Sequence, residues 1–362
     1  MLGLHVPSPT AAAVNLFDAT LGGGLADLRR MPAALIDEGP QRRVHRFLPA
    51  GERRAASPPV LLVPPLAAPA TCFDLRRGCS LAEHLLRRGH ATYVVDYGTV
   101  RFGDRSLGLE HWIDDVVPGA VRAVAHDAGG PVQLVGWCLG GILAALAVCA
   151  DAGLPVASLA LVASPFDFRQ VPLLAPLRPI DAVTRGQLVT QLYRVLGSAP
   201  GPIVQRVYQL AGIDKYVMKP WTILSHADDR ELLAQIEAVD AFMGDMTAYP
   251  GRSFGQLYHR FFRTNDLAEG RLELGPRVLD LAGVRVPVLA IAGQGDGIAP
   301  VAACHHVGDL LPQAPSVRLE TAPGGHLGVL TGRAARTTTW PLLDEFLAGP
   351  PARRRAPRRA AA

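Results

Sequence analysis

The sequence predicts an α/β fold, with a mostly parallel central sheet that helices cover on both faces. The first observation is a series of short apolar runs bounded by turn residues, at 60–65, 91–98, 132–138 and 156–165. The second is that helix-like stretches lie between these runs, at 80–90 and 111–130. Apolar strands that alternate with amphipathic helices are typical of parallel sheets buried on both faces.

Length and composition agree with this fold class. A chain of 362 residues, 49% hydrophobic and 19% charged, can bury the core of one large α/β domain or of two smaller ones. The net charge is +4, but five arginines lie within residues 350–362, so the rest of the chain is close to neutral. We therefore expect no nucleic-acid binding by the folded part, and a disordered basic tail at 349–362.

Cysteine usage and targeting signals bear on the compartment. The five cysteines are odd in number and widely scattered, which is typical of a reducing environment. The first residues show no basic segment followed by a sustained apolar stretch, and no run of 18 apolar residues occurs. The sequence therefore predicts a soluble, cytoplasmic protein without a transmembrane segment.

Residues 1–58 are interpreted as an N-terminal leader that precedes the first apolar run. A helix is expected somewhere within 11–36. The segment 42–49, RRVHRFLP, alternates polar and apolar residues as an outer strand does, and it is followed by a loop.

The α/β core is predicted at 59–166 and 265–348, in two pieces. Strands resume in the second piece at 286–293 and 316–325. Between the pieces, 167–264 shows helical patterns without convincing buried strands. This segment predicts a helical cap, inserted before the strand at 286–293 and seated over the carboxyl edge of the sheet.

A cysteine stands where an apolar strand runs into a helix. Residues 136–140 read G-x-C-x-G, and an alanine-rich helical stretch follows. Glycines on both sides of Cys138 permit a strained turn, and the free amides at the helix start favour a thiolate. Cys138 is therefore the candidate nucleophile; the alternative is a small buried cysteine at a tight turn. The cysteines that lack this context are interpreted as structural: Cys72, Cys79, Cys149 and Cys304.

A nucleophile needs a base, and the base needs an acid that orients it. Asp296 lies just beyond the strand at 286–293, and His326 lies just beyond the next predicted strand. For His326 alone, an ordinary loop histidine is an equally good interpretation. The chain order Cys138, Asp296, His326 is the nucleophile–acid–base order of the α/β-hydrolase fold, with each residue at the carboxyl end of a strand. The sequence therefore predicts a Cys–His–Asp triad.

The oxyanion of an acyl-transfer reaction needs two backbone N–H donors. Leu139 follows the candidate nucleophile and supplies the first. The second normally comes from the loop after an early strand, where two prolines have no N–H, so Leu66 or Ala67 is the candidate. The alternative is that this loop is merely rigid. No cofactor or metal is expected, because the adjacent His305 and His306 point apart and are interpreted as surface histidines.

Taken together, these residues resemble the polyhydroxyalkanoate synthases, a family of the α/β-hydrolase superfamily, over most of residues 58–335. The resemblance implies that Cys138 is the acylated nucleophile, that Asp296 orients His326, and that His326 is the general base. The motifs GDGIAP and GGHLG stand where the family carries its acid and base. Other segments similar to the family are the cysteine lipase box, a cap-region segment and the stretch before the acid strand, at 136–143, 242–251 and 265–289.

The family implies transfer of an acyl group from a (hydroxy)acyl-CoA, through S-acyl-cysteine, to a hydroxyl acceptor. Four positions depart from its pattern. The synthases commonly have His and Trp where this chain has Gly297 and Val301, and a Trp-Asn pair where it has Phe242 and Met243. An ester or thioester hydrolase that uses the same triad therefore stays open as an alternative. A non-catalytic granule- or partner-binding protein is a further alternative, which the complete Cys/Asp/His set disfavours.

The expected partners follow from the same resemblance. The substrate is an acyl-CoA or an ester. The short leader is similar to that of the catalytic subunits of two-component synthases, which leaves open a homodimer or a second subunit. Association with the surface of a polyester or lipid granule is also left open.

Overall fold

The computed structural model describes residues 8–49, 58–187, 189–191, 198–211 and 213–349. Within them the strands are β1 (Ala33–Gly39), β2 (Arg42–Phe47), β3 (Val60–Val63), β4 (Asp74–Arg76), β5 (Cys79–Ser80), β6 (Thr92–Asp96), β7 (Val132–Trp137), β8 (Val156–Val162), β9 (Ser198–Ala199), β10 (Tyr249–Pro250), β11 (Arg271–Leu274), β12 (Arg277–Asp280), β13 (Val288–Gly293) and β14 (Val317–Ala322).

The α-helices of the same residues are α1 (Pro9–Thr20), α2 (Leu81–Arg87), α3 (Val117–Ala128), α4 (Leu139–Ala150), α5 (Leu177–Thr184), α6 (Gly201–Ala211), α7 (Ile213–Ser225), α8 (Arg230–Gly244), α9 (Gly251–Gln256), α10 (Val301–His305), α11 (Val307–Leu310), α12 (Gly328–Thr331) and α13 (Thr339–Leu347). Two π-helical turns occur as well, at His111–Val116 before α3 and at Leu257–Arg263 after α9.

Eight strands form the central sheet, in the order β1-β2-β6-β3-β7-β8-β13-β14. The six strands from β6 to β14 are parallel, and β1 and β2 add to them as an antiparallel hairpin. Every residue of β3, β7 and β13 is buried, as expected for strands covered on both faces. The predicted α/β fold with a mostly parallel sheet is confirmed.

The N-terminal residues differ from expectation in two ways. The strand expected at 42–49 is present as β2, but it is not the outer strand, because β1 pairs along its far side. The helix expected within 11–36 is α1, which begins at Pro9 and ends at Thr20. The tail at 350–362 lies outside the described residues, so its predicted disorder stays a prediction.

Connection geometry explains how both faces are covered. From β3 the chain passes through α2 to β6 on one side, and then returns through α3 to β7 on the other side. Right-handed crossovers in opposite directions place α2 on one face and α3 and α4 on the other. The C-terminal helix α13 lies beside α2: His84 Nε2 is 2.9 Å from Asp344 Oδ1, and the His84 ring centroid is 4.8 Å from that of Trp340.

The register of the parallel strands brings several loops to one edge. Val63, the last residue of β3, pairs with Gly136 near the end of β7. Gly293, the last residue of β13, pairs with Ala322, the last residue of β14. The loops after β3, β7, β13 and β14 therefore leave the sheet at the same carboxyl edge, where α/β folds bind their ligands.

The segment predicted as a cap, 167–264, holds α5 to α9 in its described residues, together with the two-residue antiparallel pair of β9 and β10. The hairpin of β11 and β12 follows it and was not expected from the sequence. No helix of the described residues is both long and apolar enough to cross a membrane.

Ion pairs attach α8 of this segment to the sheet domain. Asp229 caps α8 by accepting the Leu232 N–H, and both its carboxylate oxygens contact Arg333 at 2.7 and 2.9 Å. Glu231 Oε1 lies 2.7 Å from Arg76 and 2.7 Å from Arg336. The Arg76 side chain is only 6% exposed, so its pairing with Glu231 compensates the cost of burying a charge.

Candidate active site

The turn between β7 and α4 holds Cys138 in a backbone conformation that side chains rarely adopt. Its φ is +53° and its ψ is −126°. Close packing around the turn explains the neighbouring glycines: a Cβ on Gly136 would lie 2.6 Å from the backbone nitrogen of Gly141. A Cβ on Gly140 would lie 2.6 Å from the carbonyl oxygen of Pro64, and closer still to that of Val63. The sequence pattern therefore forms a strained strand–turn–helix that places the buried cysteine at the carboxyl edge of the sheet.

Asp296 and His326 meet at this edge. His326 Nδ1 lies 2.8 Å from Asp296 Oδ2, and because a carboxylate only accepts, Nδ1 carries the hydrogen. The other oxygen, Oδ1, accepts the backbone N–H groups of Ile298 and Ala299, both at 2.8 Å. The Asp296 side chain is fully buried and that of His326 is 9% exposed. The carboxylate is thus fixed by its own loop and in turn fixes the imidazole.

His326 lies close enough to Cys138 for the two side chains to interact electrostatically. Nε2 is buried and forms no hydrogen bond of ordinary geometry with the described residues. Burial alone would lower the pKa of His326, but the charges of Cys138 and Asp296 outweigh burial and raise its pKa to about 10. The arrangement therefore favours a proton on the imidazole, between two groups that can be negative.

The candidate oxyanion donors lie around the first turn of α4. Leu139 is the first residue of α4, where backbone N–H groups have no acceptor inside the helix. Leu66 and Ala67 are both buried in the loop after β3, which packs on the same turn through Gly140. The carbonyls of this loop face the segment 167–264: the Thr247 N–H donates to the Ala67 oxygen at 2.9 Å, and the Thr247 hydroxyl to the Leu66 oxygen at 3.4 Å. The role of the Leu139, Leu66 and Ala67 N–H groups as oxyanion donors stays a prediction.

A cavity of about 240 Å³ opens beside Cys138. Its walls come from the sheet domain and from the segment 167–264, and they are apolar apart from the cysteine and a tyrosine. Lining side chains include Leu139, Ile142, Phe168, Val171, Leu174, Ile203, Val204, Tyr249, Phe254 and Leu257. A cavity of this kind can hold an aliphatic chain next to the sulfur.

Trp137 is a neighbour of the site that sequence reasoning did not single out. Its indole Nε1 donates to the backbone oxygen of His326 at 3.1 Å, and its ring lies 5.1 Å from the imidazole ring. Thr247 lies in the segment 242–251 that is similar to the family's cap region, but the sequence assigned it no role at the site. The only sequence signal for Trp137 was its place beside Cys138, at the last position of a buried strand.

The other cysteines and the His-His pair lie in different surroundings. Burial raises the pKa of the Cys72, Cys79 and Cys304 thiols, and it raises that of Cys149 to about 12. These thiols are therefore poor nucleophiles at neutral pH, as is typical of structural cysteines.

His305 and His306 bind two separate backbone carbonyls, those of Glu320 at 3.0 Å and Ala268 at 2.8 Å. Both rings are half-buried rather than on the surface as the sequence indicated, because each is held by its own carbonyl. In the part of the chain that the structure describes, no group of three or more His, Cys, Asp or Glu side chains could hold a metal ion.

Comparison with known proteins gives relatives of this chain. Poly(3-hydroxyalkanoate) polymerase subunit PhaC of Synechocystis sp. is 26% identical over 305 residues, which cover 81% of this chain and 78% of that protein. The corresponding subunit of Allochromatium vinosum is 24% identical over 351 residues, 91% of this chain and 94% of its own length. That of Thiocystis violacea is 24% identical and covers 94% and 97%.

Solved structures share the fold at much lower identity. The structure of DcsB in complex with its substrate analogue matches 88% of this chain and 98% of its own, with a TM-score of 0.55 and 15% identity. The esterase RhEst1 from Rhodococcus sp. ECU1013 matches 89% and 99%, with a TM-score of 0.50 and 15% identity. The family model for the alpha/beta hydrolase fold matches residues 58–333, about three quarters of the chain. This chain therefore belongs to the alpha/beta hydrolase fold family, and within that family it is similar to the poly(3-hydroxyalkanoate) polymerases.

Proposed function

We propose that this chain is a cytoplasmic acyltransferase of the polyhydroxyalkanoate synthase type. It takes the acyl group of a (hydroxy)acyl-CoA onto Cys138 and passes it to a hydroxyl acceptor. The observation that carries the proposal is the 2.8 Å contact between His326 and Asp296 beside a cysteine held at a strained turn. The similarity to polymerase subunits over 81–94% of the chain supports acyl transfer to a growing polyester.

In the first half-reaction the Cys138 sulfur attacks the thioester carbonyl, and its proton resides on His326 Nε2. Asp296 holds Nδ1–H and stabilises the imidazolium that results. The carbonyl oxygen becomes an oxyanion, which the Leu139 N–H and the N–H of Leu66 or Ala67 stabilise. The intermediate then expels the CoA thiolate, which takes the proton from Nε2, and S-acyl-Cys138 remains.

In the second half-reaction the acceptor hydroxyl attacks S-acyl-Cys138. His326 Nε2, now neutral, takes the hydroxyl proton, and the tetrahedral intermediate collapses with Cys138 as the leaving thiolate.

One thioester is exchanged for another in the first half-reaction, so that half-reaction is nearly balanced in energy. This balance is a physical reason for a sulfur nucleophile when the acyl donor is itself a thioester.

The apolar cavity serves the acyl chain in this proposal. Phe168 and Val204 come from the cap, and Ile142 comes from α4, so the acyl group is enclosed between the two parts. Enclosure keeps water away from S-acyl-Cys138 and favours an alcohol over water as acceptor. The alcohol could be presented by a second copy of this chain in a homodimer, by a second subunit, or by the surface of a polyester or lipid granule. The proposal includes all three.

A hydrolase with the same triad is the second candidate. Gly297 and Val301 stand where the synthases commonly have His and Trp, which is the observation that favours it. Its first half-reaction is identical, and water replaces the alcohol in the second.

The test uses 3-hydroxybutyryl-CoA with the full chain, alone and with a candidate second subunit. Free CoA is followed by its thiol, and the products are separated by mass into polymer and free acid. Polymer formation supports the synthase, whereas free acid with stoichiometric CoA supports the thioesterase. Cys138→Ala is expected to abolish CoA release, and Cys149→Ala, on the same α4 but away from the turn, is expected to keep it. Unchanged CoA release by Cys138→Ala would contradict both candidates.

A further inference from the structure

The backbone that carries His326 is held by a side chain from another strand. His326 follows Gly324 and Gly325, and Gly324 has a φ of +130°. A glycine-rich loop gains much conformational freedom when it is released, so the loop alone does not fix the ring. The Trp137 indole N–H donates to the His326 carbonyl oxygen at 3.1 Å and thereby connects this loop to the end of β7.

The same indole covers one side of the imidazole. The two ring centroids are 5.1 Å apart and the planes are inclined by 39°. Trp137 is only 4% exposed, so its ring excludes water from that side of His326. A third contact reaches the cap, because the Phe242 ring of α8 lies 6.2 Å from the Trp137 ring. Trp137 is thus in contact with the base and with the cap, and it adjoins the nucleophile in sequence.

We propose that Trp137 is a positioning residue for the general base, which fixes the His326 backbone with its N–H and shields the imidazole with its ring. The inference rests on the proposed function of His326. Trp137 touches no reacting atom in this account. It acts through His326, by keeping Nε2 directed at Cys138 and the Cys138–His326 interaction away from water.

The two contacts of Trp137 predict different defects. Loss of the N–H alone loosens the backbone of His326 and leaves the shielding in place. Loss of the ring also admits water, which relieves the burial that lowers the pKa of His326. Water also weakens the attraction of the imidazolium for Cys138 and Asp296, and because that attraction outweighs burial, the net effect is a lower pKa. The second defect therefore appears in the protonation of His326 and not only in the rate.

The chain contains a close structural match as a control. Trp340 is 5% exposed, its Nε1 donates to the Leu330 carbonyl oxygen at 2.9 Å, and its ring centroid lies 4.8 Å from that of His84. Like Trp137, Trp340 is buried, donates its indole N–H to a backbone carbonyl and lies against a histidine ring. Its partners, however, belong to α12 and α2. Trp340→Phe therefore removes an equivalent buried hydrogen bond without touching His326.

The experiment compares Trp137→Phe, Trp137→Leu, Trp340→Phe and the unmodified chain. The first readout is the rate at which iodoacetamide alkylates Cys138, followed by peptide mass from pH 5 to 11. The second is kcat and KM for 3-hydroxybutyryl-CoA, and thermal unfolding checks that each variant is folded. Alkylation needs no acyl-CoA, so positioning can be tested even if the proposed acyl transfer fails.

Trp137→Phe is expected to lower kcat by about fivefold at constant KM, the value of one hydrogen bond. The alkylation rate should show an upper step at the pH where the His326 imidazolium loses its proton. Trp137→Phe should not change the pH of this step. Trp137→Leu is expected to lower kcat further and to move that step down by about one pH unit. Trp340→Phe is expected to change neither readout. Wild-type kcat and an unshifted step in both Trp137 variants would overturn the proposal, and so would the same changes in Trp340→Phe.

Discussion

The first turn of α4 and the loop after β3 are packed so closely that one added methyl group should push them apart. In Gly140→Ala the new Cβ would lie 2.6 Å from the Pro64 carbonyl oxygen. Contacts of a Cβ below 3.0 Å are essentially never seen, so that distance has to lengthen by about 0.4 Å. The approach to the Val63 oxygen is closer and requires about twice that movement. Both obstacles are backbone atoms, so no side chain can rotate away.

The displacement falls on the proposed oxyanion donors. Leu139 precedes Gly140 directly, and Leu66 and Ala67 follow Pro64 closely, so the separation widens the space between the two donors. A misplacement approaching 1 Å costs on the order of 10- to 100-fold in rate. The overpacking itself costs about 1–3 kcal/mol of stability, which a domain of this size tolerates.

The assay separates this effect from damage to the nucleophile. Acylation is measured by the burst of CoA on mixing with 3-hydroxybutyryl-CoA, and Cys138 reactivity is measured by alkylation with iodoacetamide, which needs no oxyanion hole. Gly140→Ala is expected to slow acylation and to leave alkylation within about threefold of the unmodified chain. Gly103→Ala, where a Cβ meets no atom within 4 Å, is the control. Acylation at the unmodified rate in folded Gly140→Ala would refute this account of the oxyanion hole.

Three further changes test other parts of the structure. Asp296→Asn should lower the acylation rate about 10³- to 10⁴-fold, because an amide that donates to Nδ1 selects the wrong tautomer, and a CoA burst of normal size and rate would argue against the triad. Ile203→Trp, at a cavity position that is 48% exposed, should disfavour long acyl chains by about fourfold for each excluded CH₂, whereas equal effects on acetyl- and octanoyl-CoA would rule out that cavity as the acyl site. Burial would raise the pKa of Glu231, but Arg76 and Arg336 outweigh it and lower the pKa. A lowered folded-state pKa stabilises the protein above the ordinary value of 4.5, and this stability is lost as the pH falls through the folded-state pKa. Glu231→Gln should therefore lower stability by about 1 kcal/mol at pH 7, and in thermal unfolding the difference should shrink below pH 4.5 and disappear once the pH is below the folded-state pKa.

The parallel part of the sheet could be predicted because its strands are buried on both faces. Short apolar runs such as 60–63, when they alternate with amphipathic helices, are typical of parallel strands covered on both faces. The edge strand β1 was missed for the opposite reason. Its residues are mostly exposed or half-buried, so they carry little apolar pattern, and β2 supplies the pairing that makes them a strand.

The hairpin of β11 and β12 was missed although its pattern is regular. Arg271–Leu274 alternates exposed and buried residues, but four residues are too few for a period to be recognised within a charged stretch. The β9–β10 pair has no local signal, because each strand has two residues and the pairing joins segments about 50 residues apart.

The candidate site residues could be named from the sequence as far as strand ends and spacing determine them. The contact of His326 with Asp296 follows from two neighbouring parallel strands that end at the same edge, and both residues could be named from the sequence. The roles of Trp137 and Thr247 could not, because both depend on the distance between a side chain and a backbone oxygen across the fold. Which of Leu66 and Ala67 donates is a matter of peptide orientation, and residue types do not determine it.

The antiparallel hairpin at the start of the sheet has a consequence for association between copies. A free strand edge offers unpaired N–H and C=O groups to other chains, and β6 would have such an edge without β2. β1 is a poorer template, because its pairing with β2 is irregular between Leu35 and Asp37 and it bears the carboxylates of Asp37 and Glu38. Deletion of residues 33–47 would therefore leave the edge of β6 unpaired. The shortened protein should then aggregate by strand addition even if its triad is intact.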